Sequence, residues 1–431
     1  MDEYSDISKQ LTSDLDKSIK DGQGIFFTPP KSIRKVVNYI DHILRHKYKT
    51  VLEPSCGSCE FIKYIDKKDD LTITAVEYNE TIYDKIQELN FKNNVSLYNQ
   101  DFLELNLKEK YDLILGNPPY FVYKKSDINQ KYHKYLKGRP NIFLPFILKS
   151  LELLNDNGIL AFVLPKSFLN CGYYSGVREY IYHNFCVKKI FDLSEHQYIE
   201  TQQDTFALIL KKTRKRFKND KFFIQNDFIM NTEENIISLK NIINHSSTLH
   251  KLGFTVFNGK FVWNQEKPYL TNIKEDNYRL IYSGDIENGK LNCLDDKLID
   301  KYWKGLMIKY EIKPTKGLKD KIDKKHYVKK GHLLNKLTKG MTLIINRGYG
   351  NIDYNLDFAL VDNIDEYFLE NHVLAIDLKN KETFTKDIVK EKYKQVIESF
   401  KDPRTEEFIN LCMGNNAINT TELEYLIPIF I

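Results

Sequence analysis

No stretch of about eighteen consecutive apolar residues occurs in this chain, and no basic segment leads into a short apolar one near its start, so a helical membrane span and a secretory leader are both unexpected. Excess charge of one sign is missing too. Lysine and arginine number 64 against 59 aspartate and glutamate, a net of +5, so any contact with a polyanion must use local patches. Cysteine is sparse and unpatterned, six in all, as suits a reducing compartment. The Cys56-Gly57-Ser58-Cys59 run offers a redox or zinc reading, yet tetrahedral zinc needs two further ligands and Cys171, Cys186, Cys293 and Cys412 are scattered singly. No clean repeat stands out beyond residue 222, and no nuclease core is recognisable. These exclusions leave a soluble intracellular protein as the expectation.

What is present suffices for real cores. Hydrophobic residues make up 42% and aromatic ones 13% of 431 residues, a length that fits two domains. Met1 to Gln23 is polar and expected to be partly mobile. Lys31 to His46 carries Ile33, Val36, Val37, Ile40, Ile43 and Leu44 at helical spacing behind Pro29 and Pro30. Asn141 to Leu154 repeats that pattern, while Gly158 to Leu164 and Asp204 to Leu210 read as strands.

Thr50 to Glu53 reads as a buried strand, followed by the small-residue loop Pro54 to Cys59 and a helix over Glu60 to Asp66. Such a loop lets a ligand approach the backbone closely. A second strand, Leu71 to Val76, ends at Glu77, where a carboxylate suits ribose hydroxyls. A third, Val95 to Tyr98, leads into Asp101 and Phe102, a carboxylate and a ring able to bond and stack an adenine. Plainer readings exist: Glu77 as a solvated strand-end charge, Asp101 as an Asx turn or helix cap, Phe102 as core.

The fourth strand, Leu113 to Leu115, runs out through Gly116 into Asn117, Pro118, Pro119 and Tyr120. Two prolines fix their own φ and hold the residue before each out of the helical region. The carbonyls of Asn117 and Pro118 are expected to be free, since proline offers no N–H to close a turn on them. Acceptors beside an aromatic face suit an exocyclic amine on a planar ring. Its lone pair is delocalised into the ring, so it becomes nucleophilic only when its N–H bonds are held out of plane, and orientation and fixed dipoles supply that. The same tetrapeptide also serves as a turn that merely ends a strand.

In order and in combination, GIFFTPP (24–30), EPSCGSCEF (53–61), VEYN (76–79), QDF (100–102), NPPY (117–120) and NIFLPFILKSLELLNDNGILAFVLPKSFL (141–169) resemble the motifs of the gamma-type, TaqI-like N6-adenine DNA methyltransferases. The resemblance covers roughly the first half of the chain. It implies an α/β fold: a Rossmann-like S-adenosylmethionine-dependent methyltransferase domain with a mostly parallel sheet, plus a C-terminal α+β target-recognition domain. It implies S-adenosylmethionine as cofactor, with Thr28 and Pro29 lining its pocket, Glu53 and Gly57 around the methionine portion, Glu77 at the ribose, and Asp101 and Phe102 at the adenine. Asn117, shared with the cofactor site, Pro118 and Tyr120 match the amine-holding motif. Tyr198 is the candidate for a second aromatic stacking a flipped base, with Phe191 and Phe206 as competitors. Cys59 departs from the family, which usually has glycine there. The implied substrate is adenine N6 in double-stranded DNA, reached by base flipping, with a cognate restriction endonuclease as a candidate partner, no membrane, and a cytoplasmic or nucleoid location. Related enzymes act on a release-factor glutamine or on RNA, and a DNA-binding protein with a decayed methylase half is a third reading.

The implied domains are 1–215, catalytic, and 222–431, target recognition. Between them Lys211, Lys212, Arg214, Lys215, Arg216, Lys218 and Lys221 form a run that reads either as a phosphate contact or as a solvated linker. Beyond it, Lys260 to Trp263, Tyr278 to Tyr282, Met341 to Ile345 and His372 to Ile376 look like strands, and Lys386 to Phe400 and Thr405 to Leu411 like helices. The segments 252–265, 345–351, 370–376 and 423–429 resemble pieces of a target-recognition domain. Arg347, with glycines close by, is a candidate for reading a guanine edge.

Overall fold

Val51 and Leu52 sit side by side in one strand yet belong to two different cores, and this alternation organises the first half of the molecule. The computed structural model describes residues 3–431 apart from 46, 197, 202, 225–227, 288, 293–308, 310–323, 347–355 and 414–417. Arg347 and Cys293 lie outside the described residues. The chain clusters into two compact units, Met1–Lys240 and Asn241–Ile431.

In the first unit the strands of the large sheet are β1 (Thr50–Glu53), β2 (Thr72–Glu77), β3 (Asn94–Asn99), β4 (Tyr111–Gly116), β5 (Leu154–Pro165), β6 (Cys186–Asp192) and β7 (Thr205–Lys211). They form one sheet in the order β3-β2-β1-β4-β5-β7-β6. The first five are parallel, while β7 runs antiparallel between β5 and β6. The helices are α1 (Asp6–Asp14), α2 (Lys17–Gln23), α3 (Pro30–Leu44), α4 (Glu60–Ile65), α5 (Glu80–Ile86), α6 (Phe143–Leu153) and α7 (Ser175–Asn184). Leu113, Leu115, Ala161 and Val163 face a core with Val36 of α3 and Ile62 of α4, whereas Ile114, Leu160 and Phe162 face one with Ile147 of α6 and Val177 of α7. This is a Rossmann-like methyltransferase fold. Its near-continuous apolar strands follow from burial on both faces, each fully buried aliphatic side chain contributing about 1.5–3 kcal/mol.

The order reverses between β1 and β4, so the C-terminal ends of β1 to β4 flank a crevice. Three features depart from the sequence reading. Residues 1–23 include two helices, because Leu11 and Leu15 bury against the second core. Strand β6 was not expected; its Lys188 and Lys189 hide the pattern, and a bulge shifts its register between Val187 and Lys189. The first unit also extends past 215, since Phe222, Phe223 and Met230 pack into its core.

The second unit is α+β. One antiparallel sheet joins Phe254–Asn258, Val373–Leu378, Thr342–Asn346 and Phe358–Val361, and a mixed sheet joins Leu270–Thr271, Tyr327–Lys329, Asn277–Ile281, Glu366–Leu369 and Thr338–Lys339. Helices Lys386–Phe400, Pro403–Cys412 and Thr420–Tyr425 follow. The strand expected at Lys260 to Trp263 lies instead at Phe254–Asn258, and Trp263 opens a short helix. No described helix is long and apolar enough to cross a membrane.

Candidate active site

The ends of β1 to β4 and the segment 23–27 enclose a cavity of about 920 Å³, open solvent at its mouth included. Gly57, Glu77, Asp101, Phe102 and Asn117 all line it. Gly57 takes φ +50, which suits a residue without Cβ and lets the loop bend under the cavity. Its N–H donates to Glu77 Oε2 at 2.9 Å, and the N–H of Asn79 donates to Glu77 Oε1 at 2.8 Å. Burial outweighs these bonds and pushes the Glu77 carboxyl up to about 7. Asp101 does form an Asx turn, Oδ1 accepting from the Leu103 N–H at 2.8 Å, and still lines the cavity. Phe102 is likewise both things: its ring packs against Phe146 at 5.1 Å in the core and borders the cavity.

At the end of β4, Asn117 is held on every side. Its Nδ2 donates to the Phe26 carbonyl at 3.0 Å, and its own main-chain carbonyl accepts from Ser55 Oγ at 3.1 Å. The expectation that this carbonyl is free is therefore corrected: Ser55, one residue beyond the first proline of the β1 loop, reaches it. The Pro118 carbonyl accepts no hydrogen bond among the described residues. The Tyr120 hydroxyl lies within reach of Asn117 Oδ1 and, at 2.9 Å, of the Val163 carbonyl; its one proton serves one acceptor at a time.

Residues 47–199 match the model of the Eco57I restriction-modification methylase family. Over this stretch the chain is similar to the methylases of restriction-modification systems. It is 30% identical over 215 residues to the modification methylase CviBIII of Paramecium bursaria Chlorella virus NC1A, covering 49% of this chain and 56% of that one. It is 26% identical to the type II methyltransferase M.CvrRI of Paramecium bursaria Chlorella virus XZ-6E, over 99% of both chains. A type I restriction-modification methyltransferase subunit from Streptococcus thermophilus superposes with a TM-score of 0.39 at 20% identity, over 51% of this chain and 53% of that one.

The residues at this crevice suit S-adenosylmethionine. Glu53 is 2% exposed and its Oε2 has no hydrogen-bond partner, leaving a buried acceptor beside a smaller cavity of about 290 Å³ that Thr28, Gly57 and Asn117 also line. Burial raises its carboxyl well above the usual range. Cys59 occupies φ +60, the left-handed conformation that the family's glycine would take freely, and its side chain is fully buried under α4. The steric cost is about 1–2 kcal/mol. A hydrogen bond with the Cys59 side chain, and then burial, push the Cys56 thiol up. Among the described residues no group of three or more His, Cys, Asp or Glu side chains is placed to hold a metal.

Tyr120 and Tyr198 meet in a third cavity, of about 390 Å³, with Phe26, Thr201, Gln203 and Thr205. The buried Tyr198 hydroxyl faces Tyr120, Thr28 and Thr205 without a well-formed hydrogen bond, and burial raises it to about 12. The competitors lie elsewhere: Phe206 is core, stacked near Phe168 at 6.4 Å, and Phe191 packs edge-on against Tyr39 at 5.2 Å. Pro118 and Pro29 line none of the three cavities; Pro29 is the N-cap of α3.

Residues the sequence reading passed over complete the site. Phe26 borders all three cavities, and Tyr78, 64% exposed, borders the largest. Tyr78 directly follows the acid ending β2, and Phe26 sits two residues before Thr28; position relative to those landmarks was the available signal.

Proposed function

We propose that this methylase transfers a methyl group to the N6 amine of adenine in double-stranded DNA after base flipping, as the modification half of a restriction-modification pair. The observation that carries the reading is the Asn117 amide: with Nδ2 committed to the Phe26 carbonyl, the acceptor Oδ1 is the end left for substrate, and the next residue, Pro118, has a carbonyl that accepts no hydrogen bond among the described residues. Two acceptors at one corner match the two N–H bonds of an exocyclic amine. Holding both bends the nitrogen toward a tetrahedral shape and returns its lone pair.

In this reading S-adenosylmethionine, when bound, supplies a methyl group on a sulfonium already activated toward an amine. Glu77 holds the ribose hydroxyls, Asp101 and Phe102 the adenine, and Glu53, Gly57 and Thr28 the remainder, while Pro29 acts only by starting α3 behind Thr28. The target base leaves the duplex because its N6 is out of reach in the stack, and Tyr120 and Tyr198 clasp its ring. The Tyr120 hydroxyl can turn to the Val163 carbonyl, so Oδ1 is released to substrate without leaving a phenol unsatisfied. The second unit reads the sequence.

Expression in a host without adenine methylation, followed by base-resolved methylome sequencing, tests this. The expected result is N6-methyladenine at one short motif, lost with Asn117→Ala. Methylated cytosine, methylated RNA alone, or a normal methylome from the variant overturns it.

A further inference from the structure

The charge that the composition lacks overall is concentrated directly after the Asn-Pro-Pro-Tyr corner. Residues 121–141 carry six Lys and Arg against a single carboxylate, Asp127, in a chain otherwise close to balance. We propose that this segment is a folded phosphate-contacting platform that grips the DNA backbone beside the flipped base; the inference rests on DNA being the substrate.

The segment is built to hold its shape. Its ends are pinned together by the Val122–Asn141 bridge, with the Tyr123 N–H donating to the Pro140 carbonyl at 2.9 Å and the Ile142 N–H to the Phe121 carbonyl at 3.0 Å. Ile128, Tyr132 and Leu136, four residues apart, are buried in the core shared with α6 and α7. That spacing keeps the intervening side chains outward: Lys124, Lys131, Lys134, Lys137 and Arg139 are all exposed. Of the six cations only Lys131 has a carboxylate partner among the described residues, Glu152 at 2.7 Å. Lys125 and Lys137 donate to neutral oxygens, the Leu136 carbonyl and Ser175 Oγ, and keep their charge uncompensated.

Location supplies the function. Phe121 and Tyr123, at the root, line the large cavity, so the platform grows out of the wall of the candidate active site. Carboxylates do stand near that root, Asp101, Glu104 and Asp127 around Tyr123, where they help hold its phenol neutral. Positive charge therefore belongs to the outer part, where it is available to a duplex backbone, and an anchored scaffold loses little entropy on binding.

The test is a triple variant, Lys124→Ala/Lys134→Ala/Arg139→Ala, in the full chain, with Lys47→Ala/Lys85→Ala/Lys108→Ala as control. The control removes as many exposed charges, two of them just before β1 and β4 at the opposite edge of the sheet. Affinity for a DNA duplex is measured by anisotropy across a salt series, alongside S-adenosylmethionine affinity by calorimetry and the melting temperature. The expected result is weaker DNA binding for specific and unrelated duplexes alike, a salt slope shallower by about 0.9 for each lost phosphate contact, and unchanged cofactor affinity and melting. An unchanged slope while the native chain binds and methylates DNA overturns the platform alone. Failure of the native chain to bind or methylate DNA overturns the reading beneath it. Loss of binding confined to structured RNA also overturns the proposal.

Discussion

The Asn117 side-chain amide donates to the main-chain carbonyl of Phe26, at 3.0 Å and across 91 residues of chain. A main-chain carbonyl cannot be removed by substitution and cannot donate, so it dictates which end of the amide points inward. The donor faces the N-terminal segment and the acceptor faces the site.

This sets what Asn117 variants should do. Asn117→Ala loses the acceptor, and turnover should fall by about 100-fold or more, as for removal of a dominant electrostatic contact. S-adenosylmethionine affinity should change little, since other residues line most of the cavity. Asn117→Asp should be no rescue, because a carboxylate oxygen would oppose the Phe26 carbonyl. Single-turnover methyl transfer with calorimetry of cofactor binding checks both, and turnover by Asn117→Asp near the native rate would contradict the orientation argument.

Tyr120 separates ring from hydroxyl. Tyr120→Phe keeps the stacking face and loses only a bond shared between Asn117 Oδ1 and the Val163 carbonyl, so its rate should drop by less than about tenfold. Tyr120→Ala should lose far more, with a weakened grip on a duplex carrying an abasic gap opposite the target. Equal losses in the two variants would assign the role to the hydroxyl.

Glu77 makes the protein respond to pH. Its carboxyl ionises near 4.5 when exposed but near 7 when buried in the folded chain. Between those values the folded state keeps a proton that the unfolded state has lost, so stability falls as pH rises through that window, by up to about 3 kcal/mol. Ribose donors would favour the ionised form, so cofactor affinity should rise over the same range. Glu77→Gln should reduce both slopes, with Glu53, also raised by burial, retaining the rest of the stability slope, as measured by urea melts and calorimetry at about pH 5 and about pH 8. Slopes identical to those of the native chain would trace the dependence to another group.

Gly24 should tolerate no side chain. It sits at φ +64, and a Cβ there would lie 2.6 Å from the Tyr120 main-chain nitrogen. Gly24→Ala should destabilise the fold by about 1–3 kcal/mol and displace the Asn-Pro-Pro-Tyr corner, seen as a lower urea midpoint and slower methyl transfer. An unshifted midpoint would mean the segment gives way freely.

Much of this was legible in the residues. Strand β1 and helix α4 fall where an apolar run and a small-residue loop put them, because burial on both sheet faces leaves little freedom. The set Gly57, Glu77, Asp101, Phe102 and Asn117 does converge on one cavity, since strand ends at a reversal of sheet order share a crevice. What escaped was tertiary. Strand β6 is disguised by Lys188 and Lys189, tolerable at the sheet's outermost position. Tyr120 and Tyr198 share a cavity separate from the largest one, a division no spacing rule contains. The Ser55 hydroxyl occupies a carbonyl that the prolines were expected to leave bare.

The lacing of the N-terminal segment into the Asn-Pro-Pro-Tyr corner has a practical reach. Gln23 meets Asn79, Gly24 lies under Tyr120 and Phe26 steers Asn117, all before the first strand begins. An expression clone begun thirty codons late would keep every strand of the sheet and most of its hydrophobic interior. Such a product would purify well and stay silent in a methylation assay, its failure inscribed in a missing peptide bond and not in any altered side chain.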